Sequence, residues 1–113
     1  MDDAALRDIF SVFGPVRVRR MFGGYGIYAD GIMFALSTGD ALYLKSDERT
    51  RPDFEAEDCK PFTYEARGRR TVISYWRAPD RLLDDAEEMA LWARKALEAA
   101  RRAAEAKLRK KKG

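Results

Sequence analysis

The chain of 113 residues has no histidine and a single cysteine, Cys59. Without histidine, no Ser-His-Asp or Cys-His pair can activate a nucleophile, and the commonest general base near neutral pH is missing. The usual Cys/His zinc sites are excluded for the same reason. Lys60 follows Cys59, but one basic neighbour is not enough to indicate a reactive thiol. We therefore interpret Cys59 as an ordinary thiol. We therefore expect a protein that is not an enzyme and has no cofactor.

Long hydrophobic runs are also missing, so the sequence predicts no membrane-spanning segment. The two residues after the initiator methionine, Asp2 and Asp3, are acidic, whereas a secretory signal has a basic start followed by an apolar stretch. A lone cysteine cannot close an internal disulfide, which is typical of proteins from a reducing compartment. Together these features predict a cytoplasmic protein.

Charge is distributed unevenly along the chain, although its net value is only +3. Residues 94–113 contain nine Lys or Arg and two Glu, whereas residues 1–93 contain 13 basic and 17 acidic residues. The basic character therefore belongs to the C-terminal segment. A basic patch attracts phosphates, so this segment is a candidate contact with nucleic acid.

Apolar periodicity predicts one domain with a helix at each end. Leu6, Ile9, Phe10 and Phe13 share a helical face, which Gly14 and Pro15 end. A second helix is predicted from residue 84 to about residue 108, with Asp84 and Glu87 as a capping box. We expect its first half to pack on a sheet and its outer half to protrude.

Between these helices the sequence predicts short strands joined by turns. The Asp30-Gly31 pair is a strong hairpin signal, and the turn at Gly39-Asp40 joins the next two strands. A polar linker with one short helix at 47–56 precedes a second hairpin around Gly68. The predicted strands are 16–21, 25–29, 32–37, 41–45, 62–67 and 70–76. The order predicts a two-layer α+β domain with an antiparallel meander covered by helices, residues 1–100, followed by a basic helical tail, residues 101–113.

The glycine-rich segment after Arg19 and Arg20 allows two interpretations. Gly23, Gly24 and Gly26 could let backbone N–H groups approach an anion. A dinucleotide fingerprint needs a helix directly after the glycines, however, and here a strand and a hairpin follow. We favour a bulge or bend by which one long strand changes direction. A small-ligand or enzymatic role at this loop is the weakest hypothesis.

Two basic regions are candidates for nucleic-acid contact. The C-terminal helix offers the strongest electrostatic feature, and its alternative interpretation is a solubilising, partly frayed helix end. Its candidate contact residues are Arg101, Arg102, Lys107, Arg109 and Lys110. Arginines in the two strand regions, interleaved with tyrosines, could form a second patch if those regions lie close together. A solvated outer face is the favoured interpretation there, because residues 1–93 are net acidic. The residues concerned are Arg17, Arg19, Arg20, Arg67, Arg69 and Arg70, with Tyr25, Tyr28, Tyr43, Tyr64 and Tyr75.

Acidic residues at the start of the second helix could also suggest metal binding or acid–base chemistry. Asp84, Asp85, Glu87 and Glu88 are better explained by helix capping and by the helix dipole.

Several segments together resemble a known family. Arg19-Arg20-Met21-Phe22-Gly23-Gly24-Tyr25-Gly26, the hairpin at residues 30–36 and residues 42–45 resemble the TfoX (Sxy) N-terminal domain. Residues 61–64, 74–76 and the entry of the last helix also fit, so the resemblance extends to about Ala100. The family motif is Arg19, Arg20, Met21, Phe22, Gly23, Gly24, Tyr25 and Gly26.

The resemblance implies a two-layer fold like that of type III secretion chaperones, often dimeric, and no established catalytic residues. It also implies a bacterial regulator linked to natural competence, whose best-known members act as co-regulators with the cyclic-AMP receptor protein. The leading hypothesis is therefore a non-enzymatic, homodimeric regulatory protein that acts through protein contacts, with transcriptional co-regulation as the role that the resemblance suggests. The alternative is an accessory nucleic-acid-binding protein that uses its basic C-terminal helix.

Overall fold

The computed structural model describes residues 1–21 and 23–112 and has six antiparallel strands in one sheet. The strands are β1 (Arg17–Met21), β2 (Gly24–Ala29), β3 (Ile32–Thr38), β4 (Ala41–Lys45), β5 (Pro61–Ala66) and β6 (Arg69–Arg77). The predicted antiparallel α+β class is confirmed.

The strand order in the sheet is β1-β2-β3-β4-β6-β5. The first four strands are therefore a meander, whereas the last hairpin joins the sheet through its second strand. Pairing between β4 and β6 is short and runs from Tyr43 opposite Arg77 to Lys45 opposite Tyr75. The start of β6 and its partner β5 therefore extend past the end of β4. We call this extension, residues 62–73, the hairpin arm.

All helices lie on one face of the sheet. They are α1 (Asp3–Ile9), α2 (Arg51–Ala56), a 3₁₀ helix (Asp80–Asp84) and α3 (Ala86–Lys112). The 27 residues of α3 give a length of about 40 Å at ~1.5 Å per residue. No helix within the described ranges has the length and apolarity needed to cross a bilayer.

The core lies between the helices and the sheet. Phe10 of the turn after α1 packs edge-on against Phe34 of β3, with ring centroids 5.3 Å apart. Phe54 of α2 contacts Trp92 of α3 in the same way at 5.2 Å. The largest fully buried side chains are Phe10, Phe34, Leu6, Ile27, Leu42, Leu44, Leu82 and Met89. As predicted, the first half of α3 packs on the sheet.

Two aspartates cap the terminal helices. Asp2 accepts a hydrogen bond from the backbone N–H of Ala5 at 2.9 Å, which satisfies a donor in the first turn of α1. Asp85 does the same for Glu88 at 3.0 Å in α3. The predicted capping pair, Asp84 with Glu87, was therefore placed one residue too early. The 3₁₀ helix includes Asp84, so the α-helix begins only after Asp85.

No helix in the described part of the chain lies on the other face of the sheet, and we call that face the open face. In β4, Leu42 and Leu44 point toward the helices, so Tyr43 points to the open face by alternation. Neighbouring residues of β6 point to opposite faces: Trp76 packs on Phe54 of the helical layer, whereas the hydroxyl of Tyr75 donates to the Met33 carbonyl.

Candidate functional site

The motif from Arg19 to Gly26 forms a hairpin. β1 pairs with β2 in antiparallel fashion from Arg17 opposite Tyr28 to Met21 opposite Gly24, so the chain reverses between Met21 and Gly24. The expected bend of one long strand was therefore wrong, because two separate strands pair side by side. Phe22 lies outside the described residues.

Close packing explains two of the motif glycines. A Cβ atom on Gly24 would lie 1.9 Å from the carbonyl oxygen of Ser37 in β3, a backbone atom that cannot move independently. A Cβ atom on Gly26 would lie 2.5 Å from the Sδ atom of Met21 and 2.8 Å from that of Met33. Gly26 is also paired with strands on both sides. Glycine is therefore needed at these two positions for close packing within the sheet, and their arrangement does not resemble an anion-binding loop.

The five candidate residues of the C-terminal helix divide into two groups. Arg101 pairs with Asp30 in the β2–β3 turn, and Arg102 pairs with Asp47 after β4. The exposed side chains of Lys107, Arg109 and Lys110 lie further along α3. The helix runs without interruption across the predicted boundary between residues 100 and 101. Two of the five thus hold the helix against the sheet, and three remain as candidate contacts.

Asp47 is the most heavily hydrogen-bonded of these carboxylates. The Nε atom of Arg102 donates to its Oδ2 atom at 2.6 Å, and the backbone N–H groups of Arg49 and Thr50 donate to Oδ1. The hydrogen bond from Arg102 is the main reason that the pKa of Asp47 is lowered. The same bond raises the pKa of Arg102. The ion pair is therefore a structural contact at the base of the tail.

The acidic residue Glu88, near the start of α3, takes part in an ion-pair cluster that links neighbouring elements. The guanidinium of Arg81 donates to both carboxylate oxygens of Glu57 and to both of Glu88. These hydrogen bonds lower the pKa values of Glu57 and Glu88. Over residues 1–21 and 23–112, no group of three or more His, Cys, Asp or Glu side chains is placed to hold a metal ion. The arrangement of these acidic side chains therefore favours helix capping and ion pairing over metal binding.

Cys59 lies near several carboxylates. Partial burial raises the pKa of its thiol, and the negative charges of Glu57 and Asp80 add to that effect. The amino group of the neighbouring Lys60 lies 3.4 Å from an Asp58 oxygen. This environment favours the protonated thiol, which is the less nucleophilic form.

An open groove of about 520 Å³ lies between α2 and α3. Its apolar lining comes from Ala56, Leu91 and Trp92. Leu91 is 65% exposed, the most exposed large hydrophobic side chain in the described part of the chain. Charged side chains surround this lining: Asp53, Glu57, Glu88, Arg94, Lys95 and Glu98. Sequence reasoning missed this groove, although a leucine on the polar face of α3 was a visible signal.

The two arginine groups of the sheet do not form one patch. β1 and β6 are separated by β2, β3 and β4, which corresponds to about 19 Å at ~4.8 Å per strand. The tyrosines also divide, since Tyr25 packs against the core and Tyr28, Tyr43, Tyr64 and Tyr75 belong to the open face. The guanidinium of Arg19 lies over the Tyr28 ring at 5.9 Å.

The fold and these surfaces define a two-layer α+β domain without a recognisable catalytic centre among the described residues. The TfoX N-terminal domain family matches residues 8–100. This chain belongs to that family, as its sequence motifs indicated. It is also similar to Protein Sxy of Escherichia coli (strain K12), with 25% identity over 76 residues. That alignment covers 67% of this chain and 36% of the relative's length.

Proposed function

We propose that this protein is a non-enzymatic cytoplasmic regulator that acts through protein contacts as a homodimer. The observation that supports this proposal best is Leu91, which is 65% exposed beside the apolar groove between α2 and α3. Single exposed leucines are common, but this one adjoins Trp92 in a concave surface. Apolar side chains in a concave surface with a charged rim are typical of protein contacts.

The occupant we propose for this groove is a second copy of the chain. If two α3 helices cross in antiparallel fashion at Leu91, residue 87 of one copy lies opposite residue 95 of the other. Glu87 then faces the partner's Lys95, which also contacts Asp53 of its own chain at 3.2 Å. Glu88, which also pairs with Arg81, faces the partner's Arg94. A two-fold interface needs such a self-complementary surface. Acidic residues precede Leu91 along α3 and basic residues follow it, so the helix surface around Leu91 is self-complementary.

The regulated partner in this proposal is a transcription-regulator protein, and the process is linked to competence. Membership of the TfoX N-terminal domain family and the similarity to Protein Sxy support this direction. Because the chain covers 36% of that relative's length, the relative's whole activity does not transfer directly.

Sedimentation velocity of the full chain at micromolar concentrations tests the homodimer. Leu91→Glu places a charge at the centre of the proposed interface, so it should shift the protein to monomer. Leu108→Glu is the matched control, because Leu108 is 58% exposed on the same helix but outside the groove. Wild-type protein that sediments as a monomer, or two variants with equal effects, would contradict the homodimer.

A second candidate function is nucleic-acid binding by the end of α3. The observation that favours it is the exposure of Lys107, Arg109 and Lys110 beyond the ion pairs that anchor the helix. Cationic side chains on a protruding helix neutralise phosphates without reading bases.

Replacing these three residues with alanine should weaken binding to duplex DNA and lower the salt dependence. The slope of log K against log salt should fall by about 2–3, at ~0.9 for each lost phosphate contact. The control variant replaces Arg49, Arg51 and Lys60 with alanine. These residues are also exposed, and their replacement removes the same positive charge. If both triple variants bind alike, only net charge matters and the tail is not the contact.

A further inference from the structure

Acidic residues are scarce in the sheet. The six strands contain one acidic residue, Glu65, and seven basic ones: Arg17, Arg19, Arg20, Lys45, Arg69, Arg70 and Arg77. The other acidic residues of 1–93 lie in helices, turns and loops. The sheet is therefore positive, although residues 1–93 as a whole are net acidic.

A row of aromatic rings runs along the open face into the hairpin arm. Tyr43 of β4 contacts Phe62 of β5 with ring centroids 5.0 Å apart, and Phe62 is 6.4 Å from Tyr64. Tyr64 is 46% exposed at the outer end of this row. Tyr43 and Phe62 are partly exposed. Three rings are thus presented in sequence on a surface that no helix covers.

Cationic side chains lie beside this row. Arg77 is opposite Tyr43 in the β4–β6 ladder and also contacts Asp80 at 3.3 Å. Beyond Tyr64, Arg69 at the start of β6 is opposite Ala66 and lies on the same face of the arm by alternation. Arg69 has no carboxylate within ion-pair distance among the described residues. The neighbouring Arg70 is on the other face, where it contacts Glu65.

We propose that the row Tyr43–Phe62–Tyr64, together with Arg69, binds single-stranded nucleic acid. Bases stack on the rings, and Arg69 contacts the backbone phosphates at the end of the arm. Aromatic side chains beside a cationic surface are the shared chemistry of sequence-tolerant single-strand binding. This surface shares no residue with the Leu91 groove or with the candidate contacts at the end of α3, so the inference does not depend on either proposed function.

Charge distinguishes this occupant from a second copy of the chain. Face-to-face association of two open faces would bring positive sheets together, which opposes self-association. A duplex fits less well than a single strand, because its bases are already stacked inside the helix and the rings cannot reach their faces. The rings and the charge together therefore favour an unpaired strand.

The test is fluorescence anisotropy of the full chain with a labelled 12-residue oligo(dT), and with a duplex of equal length, at two salt concentrations. We expect preference for the single strand. Tyr64→Ala should weaken single-strand binding about tenfold, within the range of one lost stacking contact. Tyr64→Phe should retain the affinity, because it retains the ring. Arg69→Ala should lower the salt slope by about 0.7, the value for one phosphate on a single strand.

Matched controls lie on the opposite face of the same arm. Thr63→Ala and Arg70→Ala should leave the affinity for oligo(dT) within about twofold of wild type. The alanine variant of Lys107, Arg109 and Lys110 should retain the preference for single strands. The inference is overturned if wild type shows no such preference, if Tyr64→Ala and Thr63→Ala bind equally, or if Tyr64→Ala changes the sedimentation coefficient and not the affinity.

Discussion

Arg102 near the C-terminal end of α3 and Asp47 just after β4 are joined by a hydrogen bond of 2.6 Å, across 55 residues of sequence. The contact ties the basic end of the helix to the sheet. Arg101 reinforces it by pairing with Asp30 in a different turn. The helix end is therefore attached at two points before its most basic residues begin.

Asp47→Ala should lower the free energy of unfolding by about 1–2 kcal/mol, because it removes the Arg102 pair and two backbone hydrogen bonds. The pKa of Asp47 is lowered in the folded protein, so its contribution is present above the unfolded pKa of about 4. It is lost as the pH falls through the folded pKa. Urea unfolding at pH 7 and at acidic pH should therefore show the two proteins converging. A gap that persists undiminished at low pH would contradict this account.

Gly24→Ala should destabilise the fold by about 3 kcal/mol or more, because the new methyl group overlaps a backbone carbonyl. Gly26→Ala is the matched comparison. Its new methyl group meets the side chains of Met21 and Met33, which can rotate away, so its cost should be smaller. Denaturant midpoints of the two variants measure the difference, and equal costs would show that Gly24 has no special packing role.

A chain that ends after Ala100 should be less stable than one that ends after Ala104. The first truncation removes Arg101 and Arg102, which make the two ion pairs, and should cost about 1–2 kcal/mol. The second retains both pairs and should lie within about 0.5 kcal/mol of the full chain. Thermal unfolding of the two truncated proteins measures this difference. Equal stabilities would place the domain boundary at residue 100, as the sequence predicted.

Cys59 should react slowly with a thiol reagent at pH 8. Its raised pKa leaves a smaller thiolate fraction than that of a free cysteine, and the thiolate is the reactive form. The rate of labelling by dithionitrobenzoate, with unfolded protein as the reference, measures this effect. Glu57→Gln removes one of the negative charges and should increase the rate. A folded rate equal to the unfolded rate would contradict this environment.

Sequence patterns predicted the strands within one or two residues, because turn residues such as Asp30 and Gly31 constrain the backbone locally. The order of the last hairpin was not predictable in this way. Whether β5 or β6 pairs with β4 depends on the path of the linker through α2, which is a tertiary property. Strands 16–21 and 25–29 were predicted as separate elements, but the role of the glycines between and within them was not, because the close contact of Gly24 with Ser37 involves a third strand.

The candidate sites were also predictable from the sequence only in part. Charge counting identified the basic end of α3, but only the fold shows that Arg101 and Arg102 contact Asp30 and Asp47. The net charge of residues 1–93 also did not reveal that the strands are positively charged, since the acidic balance of these residues comes from helices, turns and loops. Leu91 was visible as an apolar residue on a polar face, yet its groove depends on how α2 packs beside α3.

The central claim is association of two chains through α3 at Leu91, and disulfide trapping tests it most directly. Leu91→Cys in a Cys59→Ser background places one thiol at the proposed two-fold axis, and Leu108→Cys in the same background is the control. Mild oxidation at low micromolar concentration should link the Leu91→Cys protein rapidly into a covalent dimer and the control slowly. Equal and slow cross-linking of both variants would contradict the proposed dimer.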